Sequence, residues 1–443
     1  MTRRLPRVLR FFDISVLASA SMGPAYSLAS TMGLIVVTAG FAAPFALLAL
    51  SAIMLCIAVS FAYLTRVAPN AGSSYSWIGM AFGPFAGGYG AWLLLLSNFF
   101  ATMATAVPAG IYTLALLAPA HAQDPAWAAV VGALWILGSG ALLYLGVRPT
   151  AHVTLLALAF EIGVLLAAAL AAALHAPVAA PATATSSALP GSLGIVGFLT
   201  AMTLSVWMSD GWEVSASTSE EVDDAASASG RGGVTGLVAT TVVLVVCMFA
   251  FQHLGSLQGF ADNQADALAY VGSLLGGAWW RLAIVLTVLL STLATLWTTI
   301  LYLSRSVYAM GRDGVLPRSL GALDARNEPF WAMTVVCVLV TICELITGFS
   351  KTAADQLTLV INTSSVFLGL LFVLSAAAAA KRFWREPTAR GGGVLVPLAG
   401  AVALLGVLAA TVAVEDHKLA AYACAGVALG IPFALWRGRV PRG

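Results

Sequence analysis

Long apolar runs, each near the length of a bilayer-spanning helix, alternate along the chain with short polar connections. A hydrocarbon core about 30 Å thick takes about 20 residues of α-helix to cross. Runs of that kind fall near 12–37, 42–66, 84–118, 126–147, 151–174, 194–218, 234–254, 279–309, 330–349, 355–380, 394–414 and 418–436. They are apolar throughout, whereas the strands of a membrane β-barrel alternate polar and apolar positions. The pattern predicts an all-α integral membrane protein with twelve transmembrane helices.

Two of these spans carry residues that interrupt a helix. The first contains Ser19-Ala20-Ser21-Met22-Gly23-Pro24-Ala25, and the sixth contains Ser205-Val206-Trp207-Met208-Ser209-Asp210-Gly211-Trp212-Glu213. Proline within a helix removes a backbone donor and clashes with the preceding turn, and glycine lowers the cost of nonhelical angles. Irregular backbone at membrane depth is tolerated where it lines a cavity or is buried in protein. Spans 1 and 6 open two five-helix halves, 12–174 and 194–380, with 394–436 as two trailing helices. Breaks at corresponding places in two halves point to a substrate site near the midplane. Helices 1 and 6 are therefore expected to be discontinuous. Ser21, Met22, Gly23, Pro24 and Ala25, with Trp207, Ser209, Asp210 and Gly211, are the expected substrate-binding residues.

Charge gives the orientation. Only 9% of residues are charged, against 60% hydrophobic, where a soluble protein carries roughly 25% charged residues. With an N-terminus (1–11) in the cytoplasm, that side holds Arg3, Arg4, Arg7, Arg10, Arg66, Arg148, Arg231, Arg305, Arg312, Arg318, Arg326, Lys381, Arg382, Arg385, Arg390, Arg437, Arg439 and Arg442. The other side holds only Arg281, Lys351 and Lys418. That asymmetry predicts a protein of the cytoplasmic membrane with both termini, including 437–443, on the cytoplasmic side. The N-terminal arginines resemble the start of a signal peptide, but the run that follows is long and lacks a small-residue cleavage site, so it reads as the first span. Segment 175–193 reads as an external loop rich in Ala, Pro, Ser and Thr. Segment 219–233 reads as a cytoplasmic loop whose acids form a solvated surface. The net charge of +2 suggests no nucleic-acid partner.

Ionisable groups inside spans are costly and are functional candidates by default. Asp210 can pair with a substrate ammonium or cap the broken helix. Glu344 in span 9 reads as a group near the external end or at a helix interface. Trp207 can gate, or stack on a cation for roughly 0.5–2 kcal/mol. Trp297, Asn362, Ser364 and Ser365 are further pocket candidates. Cys56, Cys247, Cys337, Cys343 and Cys424 form no CxxC pair, so neither a metal site nor a disulfide framework is expected, and no cofactor is implied.

Two further stretches carry a resemblance. Pro69-Asn70-Ala71-Gly72-Ser73-Ser74-Tyr75, continuing through Gly83-Pro84 to Gly90-Ala91-Trp92, is similar to a P-x-A-G-x-x-Y…FG…GW pattern. Ser304-Arg305-Ser306-Val307-Tyr308-Ala309-Met310-Gly311-Arg312-Asp313-Gly314-Val315-Leu316-Pro317 is similar to SR-x-x-YAM-x-RDG-x-LP, and Gly211-Trp212-Glu213 resembles a G-F-E signature. In this order they resemble the amino acid–polyamine–organocation permease superfamily over nearly the whole chain. The resemblance implies a five-plus-five inverted-repeat core, alternating access, and helices 1 and 6 unwound around the substrate. It places Glu213 at the acid of the G-F-E signature, as a gating or break-holding group. It places Glu161, in span 5, near where sodium-driven carriers of the fold bind their ion. A titratable side chain there can carry a proton in place of the ion, or hydrogen-bond to helix 1 or 8. One departure stands out: many relatives carry a G-S-G-like stretch in helix 1 whose N–H groups hold a substrate carboxylate, and here it reads Gly23-Pro24-Ala25.

The expected function is secondary transport of an amino acid or related organic amine, with a proton or sodium as coupling ion and the lipid bilayer as setting. An exchanger, a polyamine importer and a nontransporting sensor are the alternatives. No P-loop supports an ATP-driven pump. His121, His152, His175, His253 and His417 are scattered, so no catalytic constellation points to an enzyme.

Overall fold

In a computed structural model the described residues are 4–176, 194–349, 353–414 and 417–438, with side chains described for 4–176, 194–349, 364–410 and 424–435. The expected loop 175–193 lies outside them from residue 177 onward. The helices run in order α1 (Phe11–Ser21), α2 (Pro24–Ala39), α3 (Ala43–Val67), α4 (Ser73–Phe82), α5 (Pro84–Leu117), α6 (Pro125–Tyr144), α7 (Val147–Leu174), α8 (Ile195–Leu204), α9 (Val214–Ser217) and α10 (Gly230–Leu254). They continue as α11 (Leu257–Asp262), α12 (Ala267–Leu275), α13 (Gly277–Arg312), α14 (Phe330–Thr347), α15 (Ala353–Phe383), α16 (Val396–Val414) and α17 (His417–Gly438). Among the described residues extended pairing is limited to one parallel bridge, Leu9 with Val222.

Nine helical stretches among the described residues are long and apolar enough to cross a membrane, and the shorter Ile195–Leu204 and Cys424–Leu435 are apolar as well. One of the nine, Phe11–Val67, runs 57 residues and contains α1, α2 and α3. An all-helical membrane protein is therefore what the chain forms. In hydrocarbon every backbone N–H and C=O must be satisfied within the protein, which favours helices. The long helices α5 and α13 form the centre, packed on each other, with α15 against α5 and α7 against α13.

The segment after α9 departs from its expected character. Asp223 and Asp224 are exposed, but Glu221 is fully buried. Its carboxylate takes a two-pronged ion pair from Arg305 of α13, Nε to Oε2 at 3.1 Å and Nη2 to Oε1 at 2.9 Å. The same Nη2 reaches Glu328 at 2.7 Å. The N–H groups of Val8 and Leu9 both donate to the Glu221 carbonyl at 2.9 Å. Glu220 is half-buried and pairs with Arg312 at 2.9 Å while accepting the Ala71 N–H. These two acids are thus structural rather than a solvated surface. An acidic run in sequence cannot show that a distant arginine awaits it. The two motif segments also meet here, where the Tyr75 hydroxyl donates to Asp313 at 2.8 Å. Helix α10 starts at Gly230, earlier than the expected 234, and its glycines allow close approach, Gly230 to α3, Gly232 and Gly236 to α1, and Gly233 to Ser215 of α9.

Glu344 is buried on α14 against Gly132 of α6, and neither carboxyl oxygen has a hydrogen-bond partner among the described residues. It lies apart from the site below.

Candidate substrate site

Helix α1 stops at Ser21. Gly23 adopts the left-handed conformation at φ 54°, and α2 starts with Pro24 at its first position. Proline does not clash there, because the N–H it lacks is one a first-turn residue leaves unpaired anyway. Pro24 therefore initiates the second helix instead of distorting a continuous one. A Cβ at Gly23 would collide with Thr295 Oγ1.

The amides at this break all have acceptors within the protein, and two of its carbonyls have side-chain donors. Thr295 Oγ1 donates to the Ala20 carbonyl at 3.2 Å, and Ser27 Oγ donates to the Met22 carbonyl at 2.8 Å. The Ala25 N–H donates to Glu161 Oε1 at 2.6 Å, and the Tyr26 N–H donates to Ser291 Oγ at 3.1 Å. Met22 and Gly23 donate to the Ser19 and Ala20 carbonyls, and Ser27 donates to the Gly23 carbonyl. A carboxylate at a helix N-terminus is favoured by the dipole, and Glu161, reaching across from α7, fills that role. Its second oxygen, Oε2, has no partner among the described residues.

The other break begins where α8 ends. A single 3-10 turn spans Trp207–Ser209, Asp210 is extended, and Gly211 sits at φ 98° before α9. The Gly211 N–H donates to Glu213 Oε2 at 2.9 Å. Trp212 donates to the Ser209 carbonyl at 3.1 Å and lies between Phe61 and Phe372, with centroids at 5.0 Å and 5.4 Å. This aromatic stack locks the short helix in place below the break.

The two breaks meet beside a cavity of about 30 Å³. Ser21, Met22 and Tyr26 come from the first, and Trp207, Asp210, Gly211 and Glu213 from the second. Helix α5 adds Ser97, Asn98, Ala101 and Thr105; α13 adds Thr295, Thr299 and Tyr302; α15 adds Ser364 and Leu368. The lining holds two carboxyl groups and no lysine, arginine or histidine. Apart from its own amide, the Asp210 carboxylate has no hydrogen-bond donor among the described residues. Tyr26 packs edge-on against Trp207 with centroids 6.2 Å apart. Its hydroxyl donates to the Ala104 carbonyl at 2.6 Å, an acceptor left free because Pro108, four residues on, has no N–H.

Of the expected residues, Ser21, Met22, Trp207, Asp210, Gly211, Glu213 and Ser364 line this cavity, and Ser365 does not. Gly23, Pro24 and Ala25 shape the break without lining it. Ser209 is buried against Ser51 at 3.2 Å. Trp297 points away from the cavity, its indole donating to Thr154 of α7 at 2.8 Å. The side chain of Asn362 lies outside the described residues. Sequence reasoning missed Tyr26, Ser97, Asn98, Thr105, Thr295, Thr299 and Tyr302. A signal for part of this set was present: Ser291, Thr295, Thr299 and Tyr302 recur at helical spacing, a polar stripe along one face of an apolar helix.

The chain is also similar in sequence to known proteins. The branched-chain amino acid permease BcaP of Lactococcus lactis subsp. cremoris (strain MG1363) is 24% identical over 305 residues, 64% of this chain and 64% of that protein's own length. The low-affinity putrescine importer PlaP of Escherichia coli (strain K12) is 24% identical over 339 residues, 74% of this chain and 70% of that protein. A family model described as amino acid permease matches residues 9–421. The chain belongs to the amino acid permease family, within the amino acid–polyamine–organocation superfamily.

Proposed function

We propose that this protein is a secondary active transporter that moves an amino acid or related organic amine across the cytoplasmic membrane by alternating access, coupled to protons. The observation that carries this reading is the cavity itself. Two broken helices meet at a pocket that holds two acids and no base, so an ammonium is the group it is suited to bind. The relatives' names fit: one is a branched-chain amino acid permease and the other a putrescine importer. Both cargoes carry an ammonium. Every amide at the first break already has an acceptor, and Pro24 has none to offer, so a substrate carboxylate finds few backbone donors there.

In this reading the chain crosses the membrane twelve times. Phe11–Val67 supplies two crossings, α8 with α9 supplies the sixth, and α17 the last. Residues 12–174 and 194–380 form the inverted repeats, 394–436 trails them, and both termini are cytoplasmic. Glu161 links coupling to conformation, because the carboxyl that would carry the proton also grips the first turn of α2. Proton binding or release there changes that grip, and α2 is a wall of the cavity.

Uptake into sealed vesicles tests the reading. Leucine, isoamylamine (leucine without its carboxylate) and isocaproate (leucine without its amine) are offered with and without an inward proton gradient, with ornithine and putrescine as a second pair. Gradient-driven uptake of an ammonium-bearing compound, with isocaproate excluded, is expected. Failure of every compound to accumulate would overturn transport, and uptake of isocaproate would overturn the ammonium requirement.

A further inference from the structure

A second concavity lies away from the substrate cavity, at the bundle end where the Arg305 and Arg312 networks sit. This open groove of about 820 Å³ runs between the ends of α3 and α15, the helix α4 and the start of α16. Its walls are apolar and include Trp77, Met80 and Leu398. Its rim carries Lys381, Arg382 and Arg385, all exposed, and no acid lines it. Met80 is 64% exposed and Trp384 beside the cations 62% exposed, so large apolar surface and fixed positive charge stand next to each other. Arg382 has a partner in Glu386 at 2.6 Å, and Lys381 lies over the Phe82 ring at 4.9 Å. Arg385 has no ion pair among the described residues.

From this geometry we infer that the groove is a binding site for an anionic phospholipid, with the phosphate on Lys381, Arg382 and Arg385 and an acyl chain along the Val67–Met80 wall. Guanidinium groups present a planar fork matched to phosphate oxygens. Basic pockets between transmembrane helices select acidic headgroups. A zwitterionic lipid can fill the apolar wall, but its ammonium gains nothing from three cations. The site abuts working parts: α4 forms one wall, and its Tyr75 hydroxyl holds Asp313 at 2.8 Å. An occupant of the groove therefore leans on the helix that carries this contact.

Native mass spectrometry of full-length protein released from nanodiscs tests this, comparing phosphatidylcholine alone with mixtures containing phosphatidylglycerol. At least one phosphatidylglycerol is expected to stay bound under detergent conditions that strip phosphatidylcholine. The combined Lys381→Ala, Arg382→Ala and Arg385→Ala variant, which alters only exposed side chains, should lower retention roughly a hundredfold. Ala81→Trp, which fills the groove and spares the cations, should lower it as well. Arg231→Ala, a cation outside the groove, should leave it unchanged. Equal retention of the two lipids, or full retention by the triple variant, would overturn the site. Displacement of the lipid by millimolar inorganic phosphate would reduce it to an anion site without an acyl groove.

Discussion

Gly211 lies against Ser21. A Cβ on Gly211 would sit 2.5 Å from the Ser21 carbonyl oxygen and 3.0 Å from the Met22 nitrogen. The two helix breaks therefore touch backbone to backbone, at a residue whose φ of 98° also belongs to glycine. Gly211→Ala should lower the unfolding temperature in detergent and abolish uptake. The φ strain alone costs about 1–3 kcal/mol, and the steric clash adds to it. An alanine variant with wild-type melting and uptake would mean that the breaks do not meet this closely.

Asp210 has its carboxylate free in the cavity, whereas Glu213 is tied to the Gly211 N–H. A charge-assisted hydrogen bond to a substrate ammonium is worth about 1.5–3 kcal/mol. Asp210→Asn should therefore weaken amine binding by roughly tenfold to a hundredfold. Competition binding on purified protein measures this, and unchanged affinity in a folded Asn variant would remove Asp210 from the substrate contact. Glu213→Gln should instead lower thermal stability, since it weakens the group that holds the break.

Glu161 has one oxygen on the Ala25 N–H and the other unpartnered. Glutamine keeps an acceptor for Ala25 but cannot exchange a proton. Glu161→Gln should keep substrate binding within a few-fold of wild type and lose accumulation driven by a pH gradient. Uptake that still follows the gradient in this variant would leave Glu161 as a helix cap alone.

The buried triad of Arg305, Glu221 and Glu328 predicts an asymmetry. Burial pushes the Glu328 carboxyl up and the Arg305 guanidinium opposes that shift. Removing the cation strands two buried acids, so Arg305→Ala should cost about 3–5 kcal/mol. The double change Glu221→Gln and Glu328→Gln on the Arg305→Ala background should recover much of it. Chemical denaturation of the wild type and the two variants checks the ordering, and a neutral Arg305→Ala would contradict the triad.

Elsewhere, Asp266 caps α12 and accepts the Tyr112 hydroxyl at 2.9 Å. Burial raises its carboxyl above the ordinary 3.8, outweighing the Ala269 N–H and the Tyr112 hydroxyl, which pull it down. The folded state thus holds the proton more tightly than the unfolded chain. Its stabilising share is full below 3.8 and is lost as pH rises through the folded value. Asp266→Asn, which keeps a capping oxygen, should flatten this part of the profile. Melting temperatures between about pH 3 and pH 7 measure it, and an identical slope in both proteins would count against a raised carboxyl.

Local chemistry made much of this legible. Runs of about twenty apolar residues located the helices, and most of the expected ends fall within a few residues of the observed ones. Gly23-Pro24 and Gly211 marked the breaks, because their backbone preferences are properties of single residues. What a side chain meets across the bundle is a different matter. Glu161 and Ala25 are 136 positions apart, and Arg305 and Glu221 are 84. Trp297 looked like a pocket residue and turned to Thr154, whereas Tyr26, Asn98 and Thr295 looked ordinary and line the cavity. Helical periodicity states which face of a helix is polar, but not which helix that face meets or at what depth. The sequence by itself therefore determined the membrane class, the helices and the places where they break. Only the tertiary structure decided which freed backbone groups each acid would satisfy and which carboxylate, that of Asp210, was left facing the cavity, because those pairings follow from packing between segments remote in the chain.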